Sequence, residues 1–427
     1  MKTAALLGAA LVAVGCYKPA VDDSCTVRCN AAAPCSNGLA CERGLCRDTA
    51  GPACTSDGGT ADAESDAPVD SSTNDGMTDD APLIDAPVID APMIDASNCW
   101  GTSPLTYCQT PAPTGTLQFT VRTTINTDTD SRCSLQPQYA YCVIARQDIT
   151  ISALVDAIGS RPLVFVATNA INITTSGEID VSGKGSSVNG PGAGASSCTA
   201  GAAGGTATTS GGGGAGGTFA GTGGLGGSAL NAAGGQPGGS PDPTPTVPRG
   251  GCPGSPGGGQ SGGAPGFGGG AVVLIAGGSV IVRGGISARG GGGNGGGQAS
   301  GGGGGGSGGM IALDGANVSV MNTFLVAGGG GGGGGGSADS PGGIGGAQST
   351  AGVAASGGAG GPTTTGGSDG GMGGSGSGPI PSPLQGGNGT LVQDMGVGAG
   401  AGGGGAGVIQ LRGAITNLGA TIVPPAT

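Results

Sequence analysis

The residues best suited to chemistry in this chain are its thirteen cysteines. A thiol can form a disulfide, bind a metal ion or carry a lipid. Setting Cys16 aside leaves an even number, which falls into three groups along the chain: Cys25, Cys29, Cys35, Cys41, Cys46 and Cys54; Cys99, Cys108, Cys133 and Cys142; and Cys198 and Cys252. Even groups predict disulfides within each group, formed in an oxidising compartment. For any one of these cysteines a free thiol is the alternative.

Cys16 ends a short apolar segment that follows Lys2 and closes with Val12-Ala13-Val14-Gly15-Cys16. A positive residue before an apolar run too short to span a bilayer is typical of an export signal, here residues 1–16. The ending resembles a bacterial lipobox, in which the cysteine is acylated and becomes the first residue of the mature protein. Ala13 stands where that family prefers Leu, so ordinary signal cleavage is the alternative. The resemblance implies a lipid anchor at Cys16 and a place in the cell envelope, at the outer membrane or cell surface.

Residues 17–54 are predicted to form a small disulfide-rich module. The spacing Cys35-x-x-Gly38-x-x-Cys41-x-x-Gly44-x-Cys46 resembles small EGF-like or Dickkopf-type cysteine-rich knots. A zinc site is the alternative, but the chain has no His and lacks the paired Cys-x-x-Cys knuckles of such sites. So short a segment cannot build a sufficient core, and we expect disulfides to hold it together.

Residues 55–98 form an acidic linker with eleven Asp or Glu and no Lys or Arg. The segment ends in a five-residue repeat, Asp80-Ala81-Pro82-Leu83-Ile84 and its successors. Proline blocks a helix and like charges repel, so we expect a disordered, extended spacer; a calcium-binding repeat is the alternative. The rest of the chain holds 15 acidic and 14 basic residues. That near neutrality argues against a nucleic-acid partner.

A short strand unit recurs between the glycine tracts of residues 163–427. Its four copies centre on Val164-Phe165-Val166, Val273-Leu274-Ile275, Ile311-Ala312-Leu313 and Ile409-Gln410-Leu411. Alternation of apolar residues predicts that the first and third residue of each triplet point to one side of a strand and stack between copies. Repeated units that cannot bury an apolar face alone are typical of solenoids. The pattern resembles a right-handed parallel β-helix. The expected fold is therefore all-β, a short parallel β-helix-like solenoid with long glycine-rich insertions.

Residues 99–162 are predicted to be a disulfide-bearing β segment that caps this solenoid, with a short helix over residues 153–158. The segment holds an aromatic group of Trp100, Tyr107, Tyr139 and Tyr141. A sugar-binding site is the alternative explanation for this group.

The chain contains 106 glycines without the strict period of collagen. The long tracts all leave the predicted solenoid at one corner, so we expect them to gather in a single mass. Composition alone favours disorder. Ordered polyproline-II-like threads that hydrogen-bond to each other are the other interpretation, and the sequence leaves both open.

No residue is assigned a catalytic, cofactor-binding or metal-binding role, and no cofactor is expected. Matches to Gly-x-Gly-x-x-Gly carry no information in glycine runs. Asp180 and Asp314 are the acids expected on strands, with no third acid stacked on them, and His is missing. We therefore expect a non-enzymatic envelope protein with a structural or adhesive role, bound to the membrane by its anchor. Surface polysaccharides and other envelope proteins are candidate partners. The alternative is a carbohydrate-binding or polysaccharide-degrading β-helix protein.

Overall fold

The structure is a computed structural model, and the residues that it describes are 40–42, 45–47, 98–133, 140–194, 198–347, 352–363, 376, 385–386 and 396–427. The chain divides into two compact units, Met1–Asp90 and Ala91–Thr427. In the first unit the described part is an antiparallel pair, β1 (Ala40–Glu42) and β2 (Leu45–Arg47), with Cys41 opposite Cys46. The export signal, the other cysteines of the disulfide-rich module and the acidic linker up to residue 97 lie outside the described residues.

The described part of the second unit contains strands and no helix. A small hairpin, β3 (Cys99–Trp100) with β4 (Tyr107–Cys108), comes first. The chain then alternates strands of two sheets: β5 (Thr116–Phe119), β6 (Thr123–Asn126), β7 (Cys142–Ile151), β8 (Leu154–Ile158), β9 (Leu163–Ile173) and β10 (Glu178–Asp180). A second small pair is β11 (Thr206–Ala207) with β12 (Ser210–Gly211). The alternation resumes with β13 (Ala271–Val282), β14 (Gly285–Ser287), β15 (Met310–Met321), β16 (Phe324–Val326), β17 (Val408–Leu418) and β18 (Thr421–Val423).

Two six-stranded parallel sheets organise this unit. The first sheet has the order β17-β15-β13-β9-β7-β5 and the second has the order β18-β16-β14-β10-β8-β6. Each repeat of the chain therefore adds one strand to each sheet, and the repeats number six among the described residues, where the sequence indicated four. The two additional repeats, β5 to β8, lie in the segment that was expected to be a cap. The short helix expected there is wrong, because those residues form strand β8.

The apolar core lies between the two sheets. One column of paired residues in the first sheet contains Ile149, Ile171, Val280 and Val318, none more than 1% exposed. Its counterpart in the second sheet contains Val155, Ile179, Ile286 and Leu325, all fully buried. Both columns belong to one hydrophobic cluster. Each repeat thus buries its apolar side chains against those of the neighbouring repeats in both sheets.

The predicted stacking of the strand triplets is confirmed between the first and second copies and between the third and fourth copies. Between the second and third copies it is wrong by one residue. Leu313 pairs with Leu274 and faces the core between the sheets, whereas Ile275 pairs with Asp314. Val164 and Val273 lie on the opposite face of the first sheet. That face is buried too, under Leu105 and Tyr107 of the β3–β4 hairpin, Phe219 and other residues. Strands buried on both faces read as continuous apolar runs, so alternation cannot identify the inner side.

The two ends of the sheets differ. Beside β5, the Phe119 ring packs edge-on against Phe165 at 5.9 Å between centroids, and the Arg132 guanidinium lies 5.3 Å from the Phe119 ring centre. A hydrogen bond from that guanidinium holds the pKa of Asp130 below its ordinary value. At the other end, Ile415 of β17 continues the buried column of Val318 and is 51% exposed. In β5 the core thus ends in the buried Phe119, whereas the column of Val318 ends in an exposed isoleucine in β17.

Candidate functional site: a glycine lattice

The glycine tracts form hydrogen-bonded threads, and residues 301–309 are the central one. Its N–H groups donate in rotation to three other threads at N···O distances of 2.7–3.0 Å. Residues 301, 304 and 307 donate to the carbonyls of residues 258, 255 and 252; residues 302, 305 and 308 to those of 399, 402 and 405; and residues 303, 306 and 309 to those of 294, 291 and 288. A repeat of three residues per turn is the geometry of polyproline II.

The carbonyl groups of the same thread accept hydrogen bonds from three further threads. Residues 263, 266 and 269 donate to the carbonyls of residues 301, 304 and 307, residues 214 and 217 to those of 302 and 305, and residues 333 and 330 to those of 303 and 306. The central thread is thus bonded to six neighbours. Every one of its N–H groups has a protein partner, which is what a buried backbone without side chains requires.

Glycine is required in this lattice because neighbouring backbones lie where a side chain would begin. A Cβ on Gly304 would overlap the carbonyl of Ala215, and one on Gly305 would overlap the carbonyl of Gly330. Backbone atoms held in a lattice cannot move aside. Ser307 is accommodated because its hydroxyl accepts from the Cys252 N–H at 2.7 Å. Of the two interpretations that the sequence left open, the described residues show the ordered one.

The lattice continues directly from the strands of the two sheets. Residues 288–297 follow β14 and residues 327–337 follow β16, while residues 300–309 lead into β15 and residues 398–407 lead into β17. The described parts of the tracts therefore gather in one hydrogen-bonded mass, as expected from their common corner. Strand pairing fixes the ends of each thread, which reduces the entropy lost when the glycines become ordered.

Three disulfides join six of the cysteines singled out in the sequence: Cys99–Cys108, Cys133–Cys142 and Cys198–Cys252. All three stay within the predicted groups. The last bridge closes a separation of 54 residues and ties thread residue Cys252 to Cys198, which lies earlier in the same glycine-rich segment between β10 and β13. Cys16 and the cysteines between Cys25 and Cys54 belong to the part whose side chains are not described, so their roles stay predictions.

The carboxylates on the strands are engaged by other groups. Asp314 is 3% exposed and accepts hydrogen bonds from the backbone N–H and the hydroxyl of Thr102, at 2.8 and 2.7 Å. Asp180 does have a stacked acid, contrary to the expectation: Asp156 pairs with it in the neighbouring strand. Both oxygens of Asp156 lie 2.6 Å from the Lys184 ammonium. Sequence reasoning missed Asp156 because its segment was interpreted as a helix.

Glu178 is the other acid of this surface, two residues before Asp180. Burial, and then the negative charge of Asp180, raise the pKa of Glu178, while the positive charge of Arg289 lowers it. Arg289 donates from its side chain to the hydroxyl of Ser182. The arrangement is a partly buried network of charges, in which Lys184 pairs with Asp156, rather than two carboxylates placed around an open cleft.

Three residues of the aromatic group, Trp100, Tyr107 and Tyr141, pack on the outer face of the first sheet. Tyr107 is 2% exposed, and its hydroxyl donates to the Gln109 side chain at 2.6 Å. Tyr141 and Tyr107 line a cavity of about 60 Å³ together with apolar residues of the sheet. A cavity of this size holds water but no sugar ring. Tyr139 lies outside the described residues.

Within the described ranges, no group of three or more His, Cys, Asp or Glu residues could hold a metal ion. The same ranges contain no helix that is long and apolar enough to cross a membrane. No family model, curated protein or solved structure matches this chain.

Proposed function

We propose that this chain is an exported, lipid-anchored protein of the cell envelope whose folded part has a non-enzymatic, structural or adhesive role. The observation that carries the proposal is the glycine lattice, in which the central thread is bonded to six neighbours. Such a lattice uses most of the glycines to build a rigid body and leaves few side chains for chemistry. A rigid domain with few reactive side chains suits a protein that bears mechanical load or holds a binding surface away from the cell.

The two sheets are, on this proposal, two sides of a closed right-handed parallel β-helix. Short connections support it: β13 ends at Val282 and β14 begins at Gly285, and the other repeats follow the same plan. Parallel strands joined by crossovers are right-handed in almost all proteins. The third side would be the base of the glycine lattice, where the threads enter and leave the strands.

The acidic linker gives this body its distance from the membrane. Its 44 residues, residues 55–98, could reach on the order of 100 Å in extended form. This arrangement suits a surface protein: an anchor at Cys16 is followed by the disulfide-rich module, by the linker as a stalk, and by the sheets and glycine lattice as a rigid tip. Surface polysaccharides and other envelope proteins are the proposed partners of the tip.

The alternative is a protein that binds or degrades polysaccharides, and the stacking of Asp156 on Asp180 is the observation that favours it. Glycoside hydrolysis uses two carboxylates on opposite sides of the scissile bond, one of them free to give a proton. Asp156 is instead held by Lys184 at 2.6 Å. We therefore rank the enzymatic role second.

One experiment on the anchor and one on the tip test the proposal. In a bacterial host that acylates lipoproteins, the full chain should fractionate with membranes, and the Cys16→Ala variant should be released from them. The full chain should bind surface polysaccharides or other envelope proteins, and it should not shorten any polysaccharide in a depolymerisation assay. A Cys16→Ala protein that stays in the membrane fraction contradicts the anchor. Depolymerisation that is lost in Asp156→Asn would replace the structural role by the alternative.

A further inference from the structure

The Cys198–Cys252 disulfide lies beside a guanidinium group. The terminal nitrogen Nη2 of Arg249 is 3.5 Å from the sulfur of Cys252 and 4.0 Å from that of Cys198. The same guanidinium lies 4.6 Å from the centre of the Phe219 ring and 3.6 Å from a carboxylate oxygen of Asp242. Arg249 is 14% exposed in its side chain, whereas Asp242 is 43% exposed. A largely buried positive charge thus faces both sulfurs, and the more exposed carboxylate of Asp242 offsets it only in part.

The two sulfurs differ in access and in how firmly they are held. Cys252 is 4% exposed. Its N–H donates to the Ser307 hydroxyl, and its carbonyl accepts from the Ser307 N–H at 2.9 Å, so the lattice fixes it. Cys198 is half-buried and lies in the segment between β10 and β11. Cys198 is therefore the more accessible of the two residues, while Cys252 stays in place beside Arg249.

We propose that Cys198–Cys252 is a thiol–disulfide exchange site that captures a low-molecular-weight thiol on Cys198. The thiolate of the incoming molecule attacks the Cys198 sulfur and forms a new S–S bond. The Cys198–Cys252 bond breaks, and its electron pair leaves on Cys252 as a thiolate. No oxidant is consumed, because one disulfide replaces another. This inference does not depend on the proposed envelope role.

Arg249 is the group that stabilises Cys252 as the leaving sulfur, at 3.5 Å from it. Burial alone raises the pKa of a thiol, whereas a positive charge within 4 Å lowers it. In the disulfide state the Nε atom of Arg249 is buried and has no hydrogen-bond partner within the described part of the chain. A Cys252 thiolate would give this guanidinium a charged acceptor. A leaving thiol of lower pKa departs faster, which directs exchange to this bridge.

The test uses the full oxidised chain and reduced glutathione as the probe, with acid quenching and peptide mass mapping over time. The glutathione adduct should form on Cys198. Arg249→Gln should slow its formation about three- to tenfold, if a change of one to two pKa units is transmitted with a sensitivity of roughly 0.5. The Cys99–Cys108 bridge, whose residues are exposed, is the internal control and should react at the same rate in both proteins. Adducts mainly on Cys252, or equal rates at Cys198, would overturn the proposal.

Two further variants keep the test decisive if Arg249→Gln does not fold. Asp242→Asn removes the carboxylate that offsets Arg249 and should speed exchange at Cys198; an unchanged or slower rate counts against the role of the guanidinium. Cys198→Ser leaves Cys252 as a free thiol, whose pKa can be measured from its alkylation rate against pH. That pKa should fall further when Asp242→Asn is added. If the pKa of the Cys252 thiol is the same with and without Asp242→Asn, the proposal is contradicted.

Discussion

At the scale of single residues, the lattice contains glycine because glycine lets two backbones approach each other closely. In most proteins a glycine marks a turn or a positive φ, but Gly304 and Gly305 have neither and are needed because carbonyl groups of other threads occupy the Cβ position. The cost of ordering so many glycines is high. Hydrogen bonds to six neighbours offset it, since each bond also spares a buried peptide group the penalty of having no partner.

This reasoning predicts that Gly304→Ala destabilises the protein. The added Cβ would meet the Ala215 carbonyl, and the expected cost is at least about 1–3 kcal/mol because fixed backbones must shift. Gly315→Ala is the matched control: it is buried in β15, but its Cβ would find its nearest neighbours at 3.4 Å, an ordinary contact. Thermal unfolding of the two variants measures the difference. Equal midpoints would show that the lattice is looser than described.

At the residue scale, the grouping of the cysteines could be predicted from the sequence. The groups with Cys99 to Cys142 and with Cys198 and Cys252 do pair internally. The connectivity within the first group was not accessible, because four cysteines allow three pairings. Arg249 was not singled out, although it lies only three residues before Cys252, because nothing in the sequence shows that its guanidinium turns towards the sulfurs.

At the scale of the strands, the sequence indicated four of the six repeats, with the correct register between the first and second and between the third and fourth copies. It did not indicate the register between the second and third copies. The long strands have two parts: in β13 the pairing shifts between Ala276 and Ser279, at Gly277-Gly278. Before the shift both faces are buried, so Val272 to Ile275 form an uninterrupted apolar run. After it, buried Val280 and Val282 alternate with less buried residues, and there the alternation does identify the core face. The first part of the strand does not identify the core face by its pattern, because a second layer of residues covers its other face as well. No local pattern in the sequence reveals such a layer.

The buried position of Leu313, which the sequence also predicted, gives a mutational prediction. Leu313 is fully buried in the core between the sheets, and Leu313→Ala should cost about 2–5 kcal/mol, since it removes contacts with the strands on both sides. Ser319 of the same strand is only partly buried between Val318 and Val320. Ser319→Ala should change the stability by less than about 0.5 kcal/mol. Chemical denaturation of both variants is the measurement. Similar small effects would contradict the stacked core.

At the scale of the whole molecule, the sheets and the lattice determine each other. The central thread bonds to residues as distant in the chain as 258 and 399, and nothing in a run of identical glycines specifies such partners. The strands specify them: parallel pairing of β13, β15 and β17 sets the positions at which their glycine threads begin. The sequence therefore predicted that the tracts would gather, from the positions of the strands. It could not predict their order, because a glycine run has no pattern of its own to read.

Amide hydrogen exchange tests this dependence. In residues 301–309 every N–H is bonded to a neighbouring thread, so exchange should require opening of the lattice and be as slow as in the sheet core around Leu274 and Leu313. A glycine run that merely connects strands would exchange fully at the first time point. Because the strands fix the threads, Leu313→Ala should speed exchange in residues 301–309 as well as in β15, whereas Ser319→Ala should leave both unchanged. Exchange that accelerates in β15 alone would mean that the lattice holds itself together without the sheets.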